Sequence, residues 1–146
     1  MAREESILSQ LKDPERYEIL ASLQASYETI RLYRNWSFGP AASLRREQST
    51  HGSNDFLDDA GENLTLVLSK IRNKVRNELI QSLKKLYAGI EDVVFEIDAG
   101  AVQLFLEESG GRQIPATRLS DGTLRYLCLL AVLLHPEPPS LLAIEE

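Results

Sequence analysis

The sequence predicts a mixed α/β fold, on three observations. From Glu62 to Tyr87 apolar residues return every three or four positions, the period of a helix with one buried face. From Val93 to Glu107 they recur with period two on two arms separated by Ala99-Gly100, the pattern of a β-hairpin. Near the end, Leu141-Leu142-Ala143-Ile144 is a short continuous apolar run, the form of a strand covered on both faces in a parallel sheet.

Each element has local reasons. Asp13-Pro14-Glu15 is a helix start: a capping carboxylate, Pro at the first helical position, then an acid near the positive end of the dipole. Tyr17, Leu20, Leu23 and Tyr27 follow at helical spacing, and Thr29 to Tyr33 reads as a short strand with Ile30 and Leu32 on one side. Residues 34–62 contain Gly39-Pro40, Ser49 to Asn54 and Asp58 to Gly61, which predicts a long loop or insertion, a kind of segment often functional or mobile. Within this loop Trp36 offers a ring that can stack on a base, but packing against the core suits its large apolar area better. The second helix places Leu64, Val67, Leu68, Ile71, Val75, Leu79, Leu83 and Leu86 on one stripe, with Gly89 as its stop. Arg72, Lys74, Arg76, Lys84 and Lys85 decorate it; because Glu78 and Gln81 interrupt them, a solvated helix face is favoured over a nucleic-acid surface.

In the hairpin, Val93, Phe95 and Ile97 alternate with Val94, Glu96 and Asp98, and Val102, Leu104 and Leu106 with Gln103, Phe105 and Glu107. Gly110-Gly111 and Pro115 then break the chain. A helix from Asp121 to Leu134 follows, apolar nearly all round and so buried on most sides. His135, just after it, is expected to interact with the negative end of that helix. The expected organisation is a single incomplete domain: residues 1–33 a helical segment and short strand, 34–62 the loop, 63–146 the remainder.

Composition narrows the function classes. With 146 residues and 43% hydrophobic content, the chain can supply a core. A net charge of −6 argues against a nucleic-acid surface made of this segment alone. The longest apolar run, Leu127 to Leu134, is far too short to span a bilayer, and Arg3-Glu4-Glu5 is not the start of a secretory signal. A lone cysteine, Cys128, cannot form an internal disulfide, so a cytoplasmic location is expected. Set among Leu127, Leu129 and Leu130, it reads as a buried, inert thiol rather than a nucleophile.

The last quarter carries the chemistry. Leu119-Ser120-Asp121-Gly122-Thr123 places a capping hydroxyl and a glycine at a helix start, where backbone amides lack intrahelical acceptors and the dipole adds positive charge. Such a place suits a phosphate, and Gly122 removes the side chain that would hold it off. For the pentapeptide alone, a simple cap by Ser120 or Asp121 on a buried helix is the more economical account. Glu145 and Glu146 follow the final apolar run, and ligands of parallel sheets bind at the carboxyl ends of strands. Two acids there can divide the labour, one on Mg²⁺ and the next on an attacking water, although two glutamates alone equally suit an exposed acidic end. What raises the first reading is the combination: cap and glycine, about three apolar turns, His135-Pro136-Glu137-Pro138-Pro139, then an apolar strand ending in acids.

With those residues in view, Leu119 to Thr123 resembles the ABC ATPase signature, usually written LSGGQ, and Leu141 to Glu146 resembles a Walker B strand. The run Arg118 to Glu146 is similar to bacterial AAA/ABC-class ATPases related to the RecF and SMC proteins, and Arg34-Asn35-Trp36-Ser37-Phe38-Gly39-Pro40 resembles them less diagnostically. The resemblance implies part of a P-loop NTPase, an ABC ATPase head, with a helical block, a hairpin, a signature helix and a Walker B strand. It implies ATP and Mg²⁺ as cofactors and a dimer of heads. In that dimer Ser120, Asp121, Gly122 and Thr123 form the signature, with Ser120 and Gly122 touching the γ-phosphate of ATP held by the second subunit. Glu145 takes the metal-side position for Mg²⁺, and Glu146 is the catalytic acid. Asp121 stands where the family has glycine, Thr123 where it has glutamine, and Glu145 where it has aspartate. No glycine here is followed by lysine, so the Walker A loop is expected on a separate N-terminal lobe, and the chain alone is expected to be an inactive fragment. Two other readings stay open: a noncatalytic module offering its signature surface to a partner ATPase, and a nucleic-acid-associated structural domain.

Overall fold

The computed structural model describes residues 16–34 and 36–145. Its described residues divide into two compact units, one within 34–138 and a smaller one built from 16–33 with 139–145. The expected helix start at Asp13-Pro14-Glu15 lies outside the described residues. No helix of the described part is long and apolar enough to cross a membrane.

In the smaller unit, α1 (Glu18–Glu28) carries the Leu20, Leu23 and Tyr27 repeat but buries none of its residues. It leads into β1 (Arg31–Tyr33), which pairs in parallel with the last strand of the chain, Leu142–Ile144, setting Leu32 opposite Ala143. The ladder extends one bond each way: Arg31 N–H donates to the Leu141 carbonyl at 2.9 Å and Glu145 N–H to the Tyr33 carbonyl at 2.9 Å. Ser140 ties the two segments again, its hydroxyl donating to Ser26 O at 2.6 Å. The parallel strand expected from Leu141 to Ile144 therefore exists, but not covered on both faces. Leu142 is half-buried while Ala143 and Ile144 are exposed, and among the described residues this strand has one neighbour.

In the larger unit, residues 34–62 form more than a loop. They contain a 3₁₀ turn at Ser43–Arg45 and a short strand, β2 (Gln48–Ser49), and they bury Phe38, Leu44 and Leu57. Asn63 organises the stretch before the long helix: its Nδ2 donates to Ser53 O at 3.0 Å and to Phe56 O at 2.8 Å, and its Oδ1 accepts from Asp58 N–H at 2.9 Å. Residues so polar form a fixed structure because one amide side chain satisfies three separated backbone groups. Trp36 packs edge-on to Phe38, ring centroids 6.3 Å apart, as packing rather than base stacking requires.

The long helix α2 (Leu64–Leu86) buries Leu64, Val67, Leu68, Ile71, Leu79 and Leu83 of the stripe read from the sequence, while Val75 is half-buried and Leu86, at the helix end, is 45% exposed. Its course breaks at Val75, whose φ of −133° and ψ of 47° are not helical. No Pro or Gly lies within it, so neither residue makes this break. Gly89 is not the stop: the helix ends where Tyr87 turns extended, and Gly89 is not among the positive-φ glycines.

The hairpin forms as read, β3 (Ile90–Asp98) and β4 (Ala101–Glu108), with Val93 opposite Leu106 and Ile97 opposite Val102. Ala99 and Gly100 both have positive φ, 45° and 84°, as a two-residue turn matched to strand twist demands. Strand β4 is central: β3 runs along one edge, while β2 and β5 (Arg112–Pro115) share the other. The sequence did not reveal β5, because Arg112-Gln113-Ile114-Pro115 shows no alternation. Val93, Val102, Leu104 and Leu106 are buried, and α2 packs on β3 and β4. Ile97, expected on the same buried face, is 72% exposed near the hairpin tip.

The final helix of this unit, α3 (Asp121–Leu133), packs on α2, and its Tyr126 hydroxyl donates to Ser82 O at 2.8 Å. Leu124, Leu127, Cys128, Leu130, Ala131 and Val132 are buried, whereas Leu133 is 64% exposed, so the apolar surround is incomplete at the C-terminal turn. The chain then closes with the strand already described, β6 (Leu142–Ile144).

Candidate functional site

The start of α3 is built in three steps. Pro115 ends β5, a 3₁₀ turn follows at Ala116–Arg118, and Leu119, only 8% exposed, anchors the turn in the core. Ser120 then caps the helix from an extended backbone, its Oγ accepting from Thr123 N–H at 3.1 Å and lying 2.8 Å from Thr123 Oγ1. Asp121 and Gly122 occupy the first two helical positions, whose amides have no acceptor within the helix. Ser120, Asp121 and Gly122 are exposed and Thr123 is half-buried. The four residues expected to act together thus share one helix terminus.

Gly122 has no packing reason to be glycine. A side-chain carbon built there would meet only Ser120 Oγ, at 3.9 Å, and its φ is not positive. The start of α3 is therefore left open by choice of residue rather than by need of the backbone. Beside it is a cavity of about 360 Å³, lined by Ser120, Thr123 and Arg118 together with apolar Leu106, Ile114 and Leu119.

Around this terminus the structure adds groups that sequence patterns did not mark. Arg45, 6% exposed, reaches from the 3₁₀ turn of the 34–62 segment to Asp121 Oδ1 and to the carbonyl of Leu119, the latter at 2.6 Å. The same guanidinium donates to the carbonyl of Phe38 at 2.8 Å. Arg125, one turn into α3, stacks its cation over the Phe38 ring at 5.5 Å. Nothing in Leu44-Arg45-Arg46 distinguishes the first arginine from the second, so Arg45 was legible only after folding.

Of the two acids at the chain's end, Glu145 belongs to the other compact unit. Glu145 follows β6, exposed, with its backbone N–H bonded to Tyr33. Glu146 lies outside the described residues. Among the described residues no group of three or more His, Cys, Asp or Glu is placed to hold a metal.

Other candidates resolve as structural. Cys128 is fully buried, and burial, helped by the charge of Asp58, pushes its thiol up to about 12, so it is no nucleophile. His135 does not hold the helix end as expected; its Nδ1 lies 2.7 Å from Glu137 O, and its ring stacks on Phe56 at 4.7 Å. Arg72 and Arg76 are not a plain solvated face, since both bind the buried carboxylate of Asp92.

Compared with known families, residues 3–146 match the one described as "AAA domain, putative AbiEii toxin, Type IV TA system". No curated protein and no solved structure gives a match.

Proposed function

The chain belongs to that family of AAA domains, an AAA/ABC-type P-loop ATPase-related group, and on this premise we propose that it supplies the signature side of an ATP-hydrolysing site. The observation that carries the proposal is the open start of α3, where Gly122 is a glycine the fold does not require. Ser120 Oγ accepts from Thr123 N–H, and with Thr123 Oγ1 as donor in the 2.8 Å hydroxyl contact its own proton goes to a phosphate oxygen. The amides of Asp121 and Gly122 add two donors at the positive end of the helix dipole. In this reading Ser120 and Gly122 contact the γ-phosphate of a nucleotide held by a second head, the geometry of an ABC-type dimer related to RecF and SMC heads.

Bound Mg-ATP would bring the phosphoryl group and the metal that neutralises its charge. Glu145 would sit on the metal side, completed by ligands from elsewhere. Glu146 would take the proton of the attacking water. An amide cradle with its lysine would come from a lobe carrying Walker A, because no glycine of this chain precedes a lysine.

The test joins this chain to its nucleotide-gripping lobe. Ser120→Arg should leave ATP binding by that lobe intact and abolish ATP-dependent dimerisation in sedimentation velocity, because its bulk fills the place of the partner's phosphate. Glu146→Gln should lower turnover by about 10²–10⁴-fold, the usual contribution of a general base, while ATP-bound dimers accumulate. Dimerisation of the Ser120→Arg protein at the parental level overturns the signature assignment.

A further inference from the structure

We infer that Arg45 is a positioning residue of the Ser120–Thr123 turn, holding the backbone just before Ser120 and the Asp121 side chain just after it, and cancelling the charge of Asp121 beside an incoming phosphate. The inference rests on the reading of that turn as a phosphate contact and adds to it the residue that makes the contact workable.

The turn has a problem if taken alone. Asp121 puts a carboxylate at the first position of a helix that is to receive an anion, and like charges at such range oppose binding. The carboxylate is two-thirds exposed, so solvent screens it only in part. Arg45 answers this directly: its Nη2 donates to Asp121 Oδ1, an ion pair whose arginine side chain is 7% exposed. The pair is neutral as a unit, leaving the helix dipole and the free amides to act on a phosphate.

The rest of the guanidinium fixes geometry. Nη1 donates to Leu119 O at 2.6 Å and to Ala116 O at 3.3 Å. Nε donates to Phe38 O at 3.0 Å and Gly39 O at 3.1 Å, and Nη2 also reaches Phe38 O at 2.8 Å. One planar group therefore binds the residue before Ser120 and the residue after it, and ties both to the 38–39 backbone. Ser120 is held between two pinned neighbours, which is how a donor is kept aimed before its ligand arrives. Lysine, a point charge with three donors, cannot span these acceptors in one plane.

The experiment uses the 146-residue chain, titrated with inorganic pyrophosphate and followed by amide shifts in ¹H–¹⁵N NMR. The parental chain should show weak, saturable shifts, with a dissociation constant in the millimolar range, centred on Asp121, Gly122 and Thr123. Ser120→Glu should abolish them, because it removes the hydroxyl and sets a carboxylate against the anion. Arg45→Gln should weaken binding by about tenfold, and adding Asp121→Asn to it should restore affinity to within about threefold, since the charge Arg45 cancelled is gone. A structural clamp alone would not be rescued in this way, because the lost carbonyl contacts stay lost. Binding unchanged in Arg45→Gln overturns the inference, and so does failure of the double variant to recover. If Arg45→Gln loses its dispersed spectrum, Asp121→Asn alone decides: it keeps the carbonyl clamp and should raise affinity several-fold, and a fall overturns the inference. Absence of shifts at this turn in the parental chain, or parental binding by Ser120→Glu, marks instead the failure of the phosphate reading, and the inference falls with it.

Discussion

Asp92→Asn should destabilise the larger unit by ~2 kcal/mol at neutral pH, and the penalty should fade in acid. Asp92 has a side chain only 9% exposed. Burial by itself would raise its pKa, but Arg72 donates from Nε at 3.1 Å and Nη2 at 2.7 Å, Arg76 from Nη2 at 2.7 Å, and Val93 N–H at 2.8 Å. These bonds to the charged form outweigh burial and hold the carboxyl at about 2, against 3.8 for an unperturbed aspartate. At ~1.36 kcal/mol per unit, that difference sets the ~2 kcal/mol. The folded-state pKa lies below the unfolded one, so the contribution is complete above the unfolded pKa and is lost as pH falls through the folded one. Urea unfolding followed by circular dichroism, on parent and variant in parallel, isolates the effect because every other carboxylate is common to both. The gap should be near its full size at about pH 7 and shrink to roughly a third of that near pH 2.5. A gap that stays constant with pH, or one under ~0.5 kcal/mol at neutral pH, would refute the argument that charge-assisted bonds fix this carboxylate.

Gly122→Ala should stabilise the chain by ~0.5 kcal/mol in thermal unfolding, since alanine is the better helix former and meets nothing closer than Ser120 Oγ at 3.9 Å; a loss of stability would mean that the helix start is more crowded than described. Cys128 should resist thiol reagents at pH 8 in the folded chain and react at once in denaturant; rapid labelling of native protein would contradict a thiol pushed up to about 12. The chain by itself should give flat calorimetric titrations with Mg-ATP to near-millimolar concentration, because one helix terminus does not replace an amide cradle and its lysine. Micromolar binding by the pure chain would remove the need for a separate nucleotide-gripping lobe.

Where burial follows a strict period, the sequence was sufficient. The stripe from Leu64 to Leu83, the paired arms around Ala99-Gly100 and the cap at Ser120 each follow from residues within a few positions of one another, so local rules decide them. The mixed α/β class and the family resemblance of the last quarter rest on the same local patterns. Tertiary structure decided the rest. Strands β2 and β5 exist because β4 presents two free stretches of backbone for them to pair with, not because their own residues demand a strand. Arg72 and Arg76 looked like a solvated face until Asp92, sixteen or more residues away in sequence, supplied a buried acceptor. Arg45 and Asp121 are 76 positions apart, and only folding brings the guanidinium to that carboxylate. Periodicity reports which side of an element is apolar, since that depends on neighbours along the chain. The partner of a charged group depends on which distant segments pack together, and a single sequence holds no local record of that.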